Sequence, residues 1–182
     1  MATEPRDSLG PPSGTVDPAG SADRERCPMS SYRFAVQWLK AFRESAEKVC
    51  ALYADEFLFE DLILDQSITD KAELHRVFAP YANADRDNGI GINLFRIDEY
   101  LGDARSGLIR WTWEPDGAAA FLGVPTGGRP FATSGQTFHV YDADGRIRRE
   151  STYWDAVAPL HTLGLPVSAH GGITAPVLAA TH

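Results

Sequence analysis

The apolar positions along this chain change their period near residue 90. Up to there they recur three and four residues apart, and beyond it they alternate with polar ones. Phe34, Trp38, Leu39 and Phe42 lie on one side of a helix that Ser30 or Ser31 can cap. A break at Arg43-Glu44-Ser45 leads into a second helix predicted from Ala46 to Ala54, with Val49, Leu52 and Tyr53 along one side. The apolar block Phe57–Phe59 reads as a strand. After an irregular piece, a third helix capped by Thr69 or Asp70 buries Leu74, Val77 and Phe78 and stops at Pro80. The polar stretch YANADRDNGIG separates it from four strand-like segments, INLFRIDEYLG, SGLIRWTWEP, RPFATSGQTFHVYD and RIRRESTYWD. Between the last two, Asp142-Ala143-Asp144-Gly145 is a hairpin turn in which glycine supplies the positive φ.

This order predicts an α+β, cone-shaped fold. Three N-terminal helices pack on a strongly curved, mainly antiparallel sheet, in the order α-α-β-α-β-β-β-β. A bent sheet roofed on one side by helices leaves a hollow open at one end, a natural ligand pocket. Residues 1–29 are rich in Pro, Gly, Ser and charge without periodicity and are expected to be a disordered tail. Residues 30–166 form the domain, and 167–182, rich in Gly, Ala and Pro, a flexible tail.

Composition narrows the partners. A chain of 182 residues with 43% hydrophobic side chains has material for one core. A net charge of −8 leaves no basic face for nucleic acid or an anionic membrane. No apolar run approaches the length of a membrane span, and the N-terminus lacks a signal peptide's apolar stretch, so a cytoplasmic protein is expected. Cys27 and Cys50 have no metal spacing, and Cys50, between apolar neighbours, reads as a buried free thiol. His161, His170 and His182 fall in no metal-binding pattern, so neither a metal nor another cofactor is expected.

The stretch YADEFLFEDLILD, residues 53–65, places Glu60 and Asp61 between two apolar runs. A carboxylate shielded there can act as a base. The order helix–helix–LYADEFLFED–helix–sheet resembles the nuclear transport factor 2-like superfamily. Within it, WTWEPDGAAAFLGVPTGGRPF, FHVYDADGRI and YWDAVAPLHTLGLP resemble the SnoaL-like polyketide cyclase group. LYADEFLFED with ITDKAELHRVF also resembles the Δ5-3-ketosteroid isomerase branch, and the likeness runs from about Ser31 to Pro166. The isomerase resemblance implies a general base at Asp61 and a supporting tyrosine, in the preceding helix, at Tyr53. It puts Thr137 where those enzymes have an oxyanion-binding Asp, and Val36 or Gln37 near their donor Tyr, so that donor pair is missing here. The cyclase resemblance implies an Asp and a His in the last hairpin, for which Asp155 and His139 are the candidates. The superfamily hosts many activities, so the fold does not name one.

A four-residue turn would pair Tyr141 with Arg146, His139 with Arg148, Thr137 with Glu150 and Thr133 with Trp154. Alternation then sorts Thr137, His139, Tyr141, Arg148, Glu150, Thr152 and Trp154 onto one face, which the resemblance makes the pocket side. Glu150 is there either a functional acid or a partner of Arg148. Phe138, Val140, Ile147 and Tyr153 fall on the convex face, where two chains would pair as a homodimer. A bulge would be needed to bring Asp155 inward. Trp111 and Trp113 share a side with Ile109, as core or as a ligand platform, and Trp154 is the aromatic most expected to touch a ligand. Gly123, Pro125, Gly127 and Gly128 shape a loop over the mouth.

The leading expectation is cofactor-free acid–base chemistry on a hydrophobic carbonyl compound. Asp61 would take a proton beside the carbonyl and His139 would donate to the enolate. Tyr53, Phe57, Phe59 and Trp154 would keep water out. Isomerisation, cyclisation and dehydration share that first step. The alternative is a noncatalytic ligand-binding or dimerisation domain, its acids neutralised by Arg110, Arg148 and Arg149.

Overall fold

The structure, a computed structural model, describes residues 31–168 and 172–173. Helix α1 (Ser31–Ala41) turns Phe34, Ala35, Trp38 and Leu39 into the core. In α2 (Ala46–Cys50), Ser45 is the N-cap and accepts from the Lys48 N–H. This helix ends at Cys50 rather than at Ala54. Lys71 Nζ donates to the Cys50 carbonyl at 3.1 Å and to the Tyr53 carbonyl at 2.7 Å, satisfying acceptors that a longer helix would have used itself. Tyr53 therefore opens strand β1 (Tyr53–Asp61).

A tight turn with Asp65 at φ 53° leads to β2 (Gln66–Ile68). Helix α3 (Lys71–Phe78) starts at Asp70, whose carboxylate accepts from the Glu73 N–H at 2.8 Å, and it buries Leu74 and Phe78. Four long strands follow: β3 (Gly91–Gly102), β4 (Ser106–Gly117) and, after the small hairpin β5 (Ala120–Phe121) and β6 (Val124–Pro125), β7 (Thr133–Tyr141) and β8 (Ile147–Trp154). A further short helix, α4 (Val157–Thr162), and the paired β9 (Val167–Ser168) and β10 (Gly172–Ile173) complete the described part. The expected tail 1–29 lies outside the described residues, as does 167–182 except for that last pair.

The main sheet runs β2-β1-β8-β7-β4-β3. Every pairing is antiparallel except β1 with β8, where the first and last long strands lie parallel. Helices α1 to α3 cover its concave face, so the core lies between helices and sheet, as the residue pattern predicted. Ile109, Trp111 and Trp113 all point into it.

The last hairpin departs from the simple ladder. The Asp142 carboxylate accepts from the N–H groups of Asp144 and Arg146, and the Asp142 N–H donates to the Arg146 carbonyl, so the turn absorbs Arg146. Tyr141 then pairs with Ile147, and a bulge follows, so that Val140 faces Arg149 and His139 faces Glu150. Two expectations are corrected by that bulge. Arg148 is thrown out to solvent rather than onto the pocket face, and Ile147 is fully buried rather than convex. Phe138 and Tyr153 remain exposed on the convex face.

Candidate functional site

Between the helices and the concave sheet lies a cavity of about 250 Å³. Its wall is a nearly continuous belt of aromatic rings. Starting on β1, Phe59 touches Phe78 of α3 with centroids 5.3 Å apart, and Phe78 touches Phe42 at 5.2 Å. Phe42 meets Phe95 at 5.7 Å, and Phe95 meets Trp113 at 6.4 Å. Phe121, on the small β5–β6 hairpin, then joins Trp113 at 5.8 Å to Trp154 at 5.9 Å. Trp154 closes the circuit through its indole N–H, which donates to Asp61, two residues beyond Phe59. Several of these contacts are edge-to-face, the arrangement ring quadrupoles prefer.

Two carboxylates line this apolar space. Asp61 ends β1, and its Oδ1 accepts from the N–H groups of Ile63 at 2.9 Å and Leu64 at 3.0 Å. Its Oδ2 accepts from Trp154 Nε1 at 3.0 Å and keeps room for another partner. No basic side chain among the described residues lies within ion-pair distance of it. The Tyr81 hydroxyl, also on the wall, is pushed up in pKa by burial and then by the Asp61 charge. Gln66 and Arg76 complete the polar part of the lining.

Glu150 of β8 is 2% exposed. Its Oε2 accepts from the Tyr53 hydroxyl at 2.5 Å and meets His139 Nε2 at 3.0 Å, while Oε1 has no hydrogen-bond partner among the described residues. Burial, and then the neighbouring Glu150 charge, holds the Tyr53 hydroxyl far above its ordinary pKa, so it remains a donor. His139 is completely buried between Phe34 and Trp38, whose rings stand 6.1 and 4.9 Å away. Its Nδ1 lies 3.5 Å from the Tyr141 hydroxyl, beside which stands the Tyr100 hydroxyl. The network is satisfied with the proton on Nε2, donated to Glu150, and Tyr141 donating to Nδ1. The strand pairing sets Asp61 opposite Thr152 and Glu150 opposite Phe59, two positions apart on adjacent strands. Their Cα atoms are thus roughly 8 Å apart by strand geometry.

The residues singled out in the sequence separate into three groups. Asp61, Glu150, Trp111, Trp113 and Trp154 line the cavity. Tyr53, His139 and Thr137 lie behind its wall. Thr137 Oγ1 accepts from Trp111 Nε1 at 3.0 Å and bonds Thr152 Oγ1 at 2.7 Å, fixing the tryptophan. Phe57 is buried against Tyr53 with the Lys71 ammonium over its ring, off the cavity surface. Asp155 stands apart from all of them. It is exposed, and its carboxylate accepts from the N–H groups of Val157 and Ala158 at the start of α4. The acid that meets His139 is Glu150, because the turn and the bulge each slid the ladder by one residue on that side. The three arginines expected to neutralise the acids are engaged elsewhere or turned outward, and Arg76 is the arginine among the described residues that lines the cavity. Arg149 binds Glu60, Arg110 binds Glu99, and Arg148 is exposed.

Sequence reasoning passed over Trp38, Phe42, Phe78, Tyr81, Asn93 and Phe121 as lining residues. Asn93 carried a readable signal, a polar residue inside an apolar strand. It accepts from Trp113 Nε1 at 2.6 Å and donates to the Tyr81 carbonyl, tying sheet to helix layer. Among the described residues no group of three or more metal-ligating side chains could hold a metal ion, and no helix is long and apolar enough to cross a membrane.

No protein-family profile matches the chain, and no curated protein sequence does. Solved structures do. A protein from Shewanella putrefaciens described as a SnoaL-like polyketide cyclase superposes with a TM-score of 0.62 at 17% identity, over 85% of this chain and 98% of its own. AclR from Streptomyces galilaeus, described as a hydroxylase, gives 0.61 at 13% identity, over 76% and 84%. A protein with a ketosteroid isomerase-like fold from Catenulispora acidiphila gives 0.57 at 16% identity, over 72% and 92%. The chain has the nuclear transport factor 2-like cone fold that these proteins share. Identities this low establish the fold and leave the chemistry to the site itself.

Proposed function

We propose that this protein is a proton-transfer enzyme acting on a hydrophobic carbonyl compound held between Asp61 and Glu150. In this reading Asp61 Oδ2 takes the proton from the carbon next to the carbonyl. The C–H electron pair becomes a C=C bond, and the carbonyl π pair moves to oxygen, which takes the proton carried on Glu150 Oε1. The resulting Glu150 carboxylate is held by the two donors already aimed at it, Tyr53 and His139. Return of the Asp61 proton to another carbon gives an isomer. Attack of the enol on a second carbonyl, whose oxygen takes the Asp61 proton, gives a ring, and departure of a β-hydroxyl as water with that proton gives a dehydrated product. In every branch the enol O–H proton returns to Glu150 Oε1 as the carbonyl re-forms.

The observation that carries the reading is the Glu150 arrangement: one oxygen braced by Tyr53 and His139, the other without a protein partner, on the wall of an apolar cavity that also holds Asp61. A domain that merely binds ligands has no need of an acid there, since even a braced carboxyl group costs stability to bury when one of its oxygens lacks a partner.

The test is exchange of the methyl protons of 2-acetylnaphthalene in D₂O, followed by proton NMR. The protein should accelerate exchange over buffer, and Asp61→Asn and Glu150→Gln should each lower the rate by about 10²-fold or more, the usual range for loss of a positioned acid or base. Exchange no faster than buffer, or unchanged in Glu150→Gln, rejects the proposal.

A further inference from the structure

We infer that the substrate is a flat, uncharged aromatic carbonyl compound of one or two fused rings. The inference rests on the carbonyl reading above and narrows it by the shape and chemistry of the wall.

The belt of rings sets the first limit. Each ring touches the next, so the belt widens only if ring contacts on both sides of a residue are given up together. A flat aromatic guest presents edges and faces to such a wall and gains ring–ring contacts that a saturated guest of equal size lacks. Such contacts are worth roughly three- to tenfold in affinity beyond area alone.

Volume sets the second limit. An acetyl group on two fused rings occupies roughly 165 Å³ and on three rings roughly 210 Å³. At the packing density of protein interiors, about 0.75, these guests need roughly 220 and 280 Å³. The cavity, at about 250 Å³ and open at one end, encloses the two-ring guest, whereas a third ring reaches out through the mouth and gains no contact there. Four fused rings are well beyond it.

Charge sets the third. An anion would face the Asp61 carboxylate on the same wall. A cation would settle on Asp61 and occupy the oxygen that must take the proton. Arg76, also on the lining, is the one feature that would draw an anion in, so an anionic arm belongs in the test.

The protein has four tryptophans, and all four line the cavity, so their indole N–H signals in a ¹H–¹⁵N spectrum report occupancy directly. The probes are acetophenone, 2-acetylnaphthalene, 2-acetylanthracene, cyclohexyl methyl ketone and 2-naphthoate. The two-ring ketone should bind tightest. Acetophenone should bind about tenfold more weakly for its smaller buried area, and cyclohexyl methyl ketone about threefold or more below acetophenone. The three-ring ketone should bind more weakly than the two-ring one, and the naphthoate should leave the indole signals in place. Equal binding of the saturated and aromatic one-ring ketones, binding of the three-ring ketone as tight as the two-ring one, preference for the anion, or binding of none overturns the inference. Methyl-proton exchange measured on the same samples separates the two claims. Size-selective binding without exchange sinks the acid–base function and leaves the ligand class standing, whereas exchange without size or ring selectivity does the reverse.

Discussion

Replacing Tyr53 by Phe probes the support of the Glu150 carboxyl with the least disturbance to packing. The ring is 1% exposed and rests on Phe57, with centroids 5.3 Å apart, and on Phe78, at 6.2 Å, so phenylalanine preserves those contacts. What disappears is one hydrogen bond of 2.5 Å to Oε2, leaving His139 as the remaining donor on that oxygen. A bond of this kind to a charged acceptor contributes about 1.5–3 kcal/mol, towards the low end when the carboxyl is neutral. For a chain of this length that corresponds to a fall in Tm of about 3–12 °C. Urea unfolding should show the midpoint moving with no change in the m-value. Combining Tyr53→Phe with Glu150→Leu should cost less than the two single losses added, by about 1 kcal/mol or more, because both changes remove the same contact. A single loss below about 0.5 kcal/mol, or strictly additive losses, would refute the idea that this hydroxyl braces the acid.

Two further outcomes follow from the same region. Burial raises the hydroxyl pKa of both Tyr53 and Tyr141, with the Glu150 charge adding to it at Tyr53 and the neighbouring Tyr100 hydroxyl at Tyr141. Their contribution to stability is therefore full below the unfolded value near 10 and drains as pH rises from there towards the folded values, by about 1.4 kcal/mol per pH unit for each group. Unfolding midpoints measured from pH 9 to 12 should fall steeply, and Tyr141→Phe should flatten the slope by about one group's share; an unchanged slope contradicts the assignment. Gly107 on β4 leaves space where a Cβ would come 2.6 Å from the Tyr100 hydroxyl and 3.0 Å from that of Tyr141. Gly107→Ala should cost about 1–3 kcal/mol by overpacking and should recover in Gly107→Ala/Tyr100→Phe, whereas no recovery would place the strain elsewhere.

Much of the architecture was legible because strand alternation and helix spacing are local signals. Ile109, Trp111 and Trp113 point inward as alternation requires, and Asp70 caps α3 as its position before an apolar-periodic run implies. The site was legible only in pieces. Whether His139 meets Arg148 or Glu150 depends on how many residues the Asp142 carboxylate draws into a turn, and a slip there changes every partner further along. Tyr53 carries helix-compatible spacing, yet its pairing with Ile147 and its bond to Glu150 place it in a strand, and no local pattern encodes contacts so remote. Phe121 sits in a two-residue strand just before a turn at Leu122-Gly123, too short for any periodicity to announce.

The parallel seam between β1 and β8 determines when the site comes into being. Tyr53 and Glu150 are separated by 97 residues, and every bond linking the two acids' strands spans a comparable distance. During synthesis the first strand emerges with Phe57 and Phe59 long before its neighbour exists, and long-range pairing of this kind is slow because chain closure must precede any reward. The reactive centre is thus the last thing to form, and a nascent chain paused before residue 150 would display a hydrophobic ribbon with an open edge for chaperones to hold.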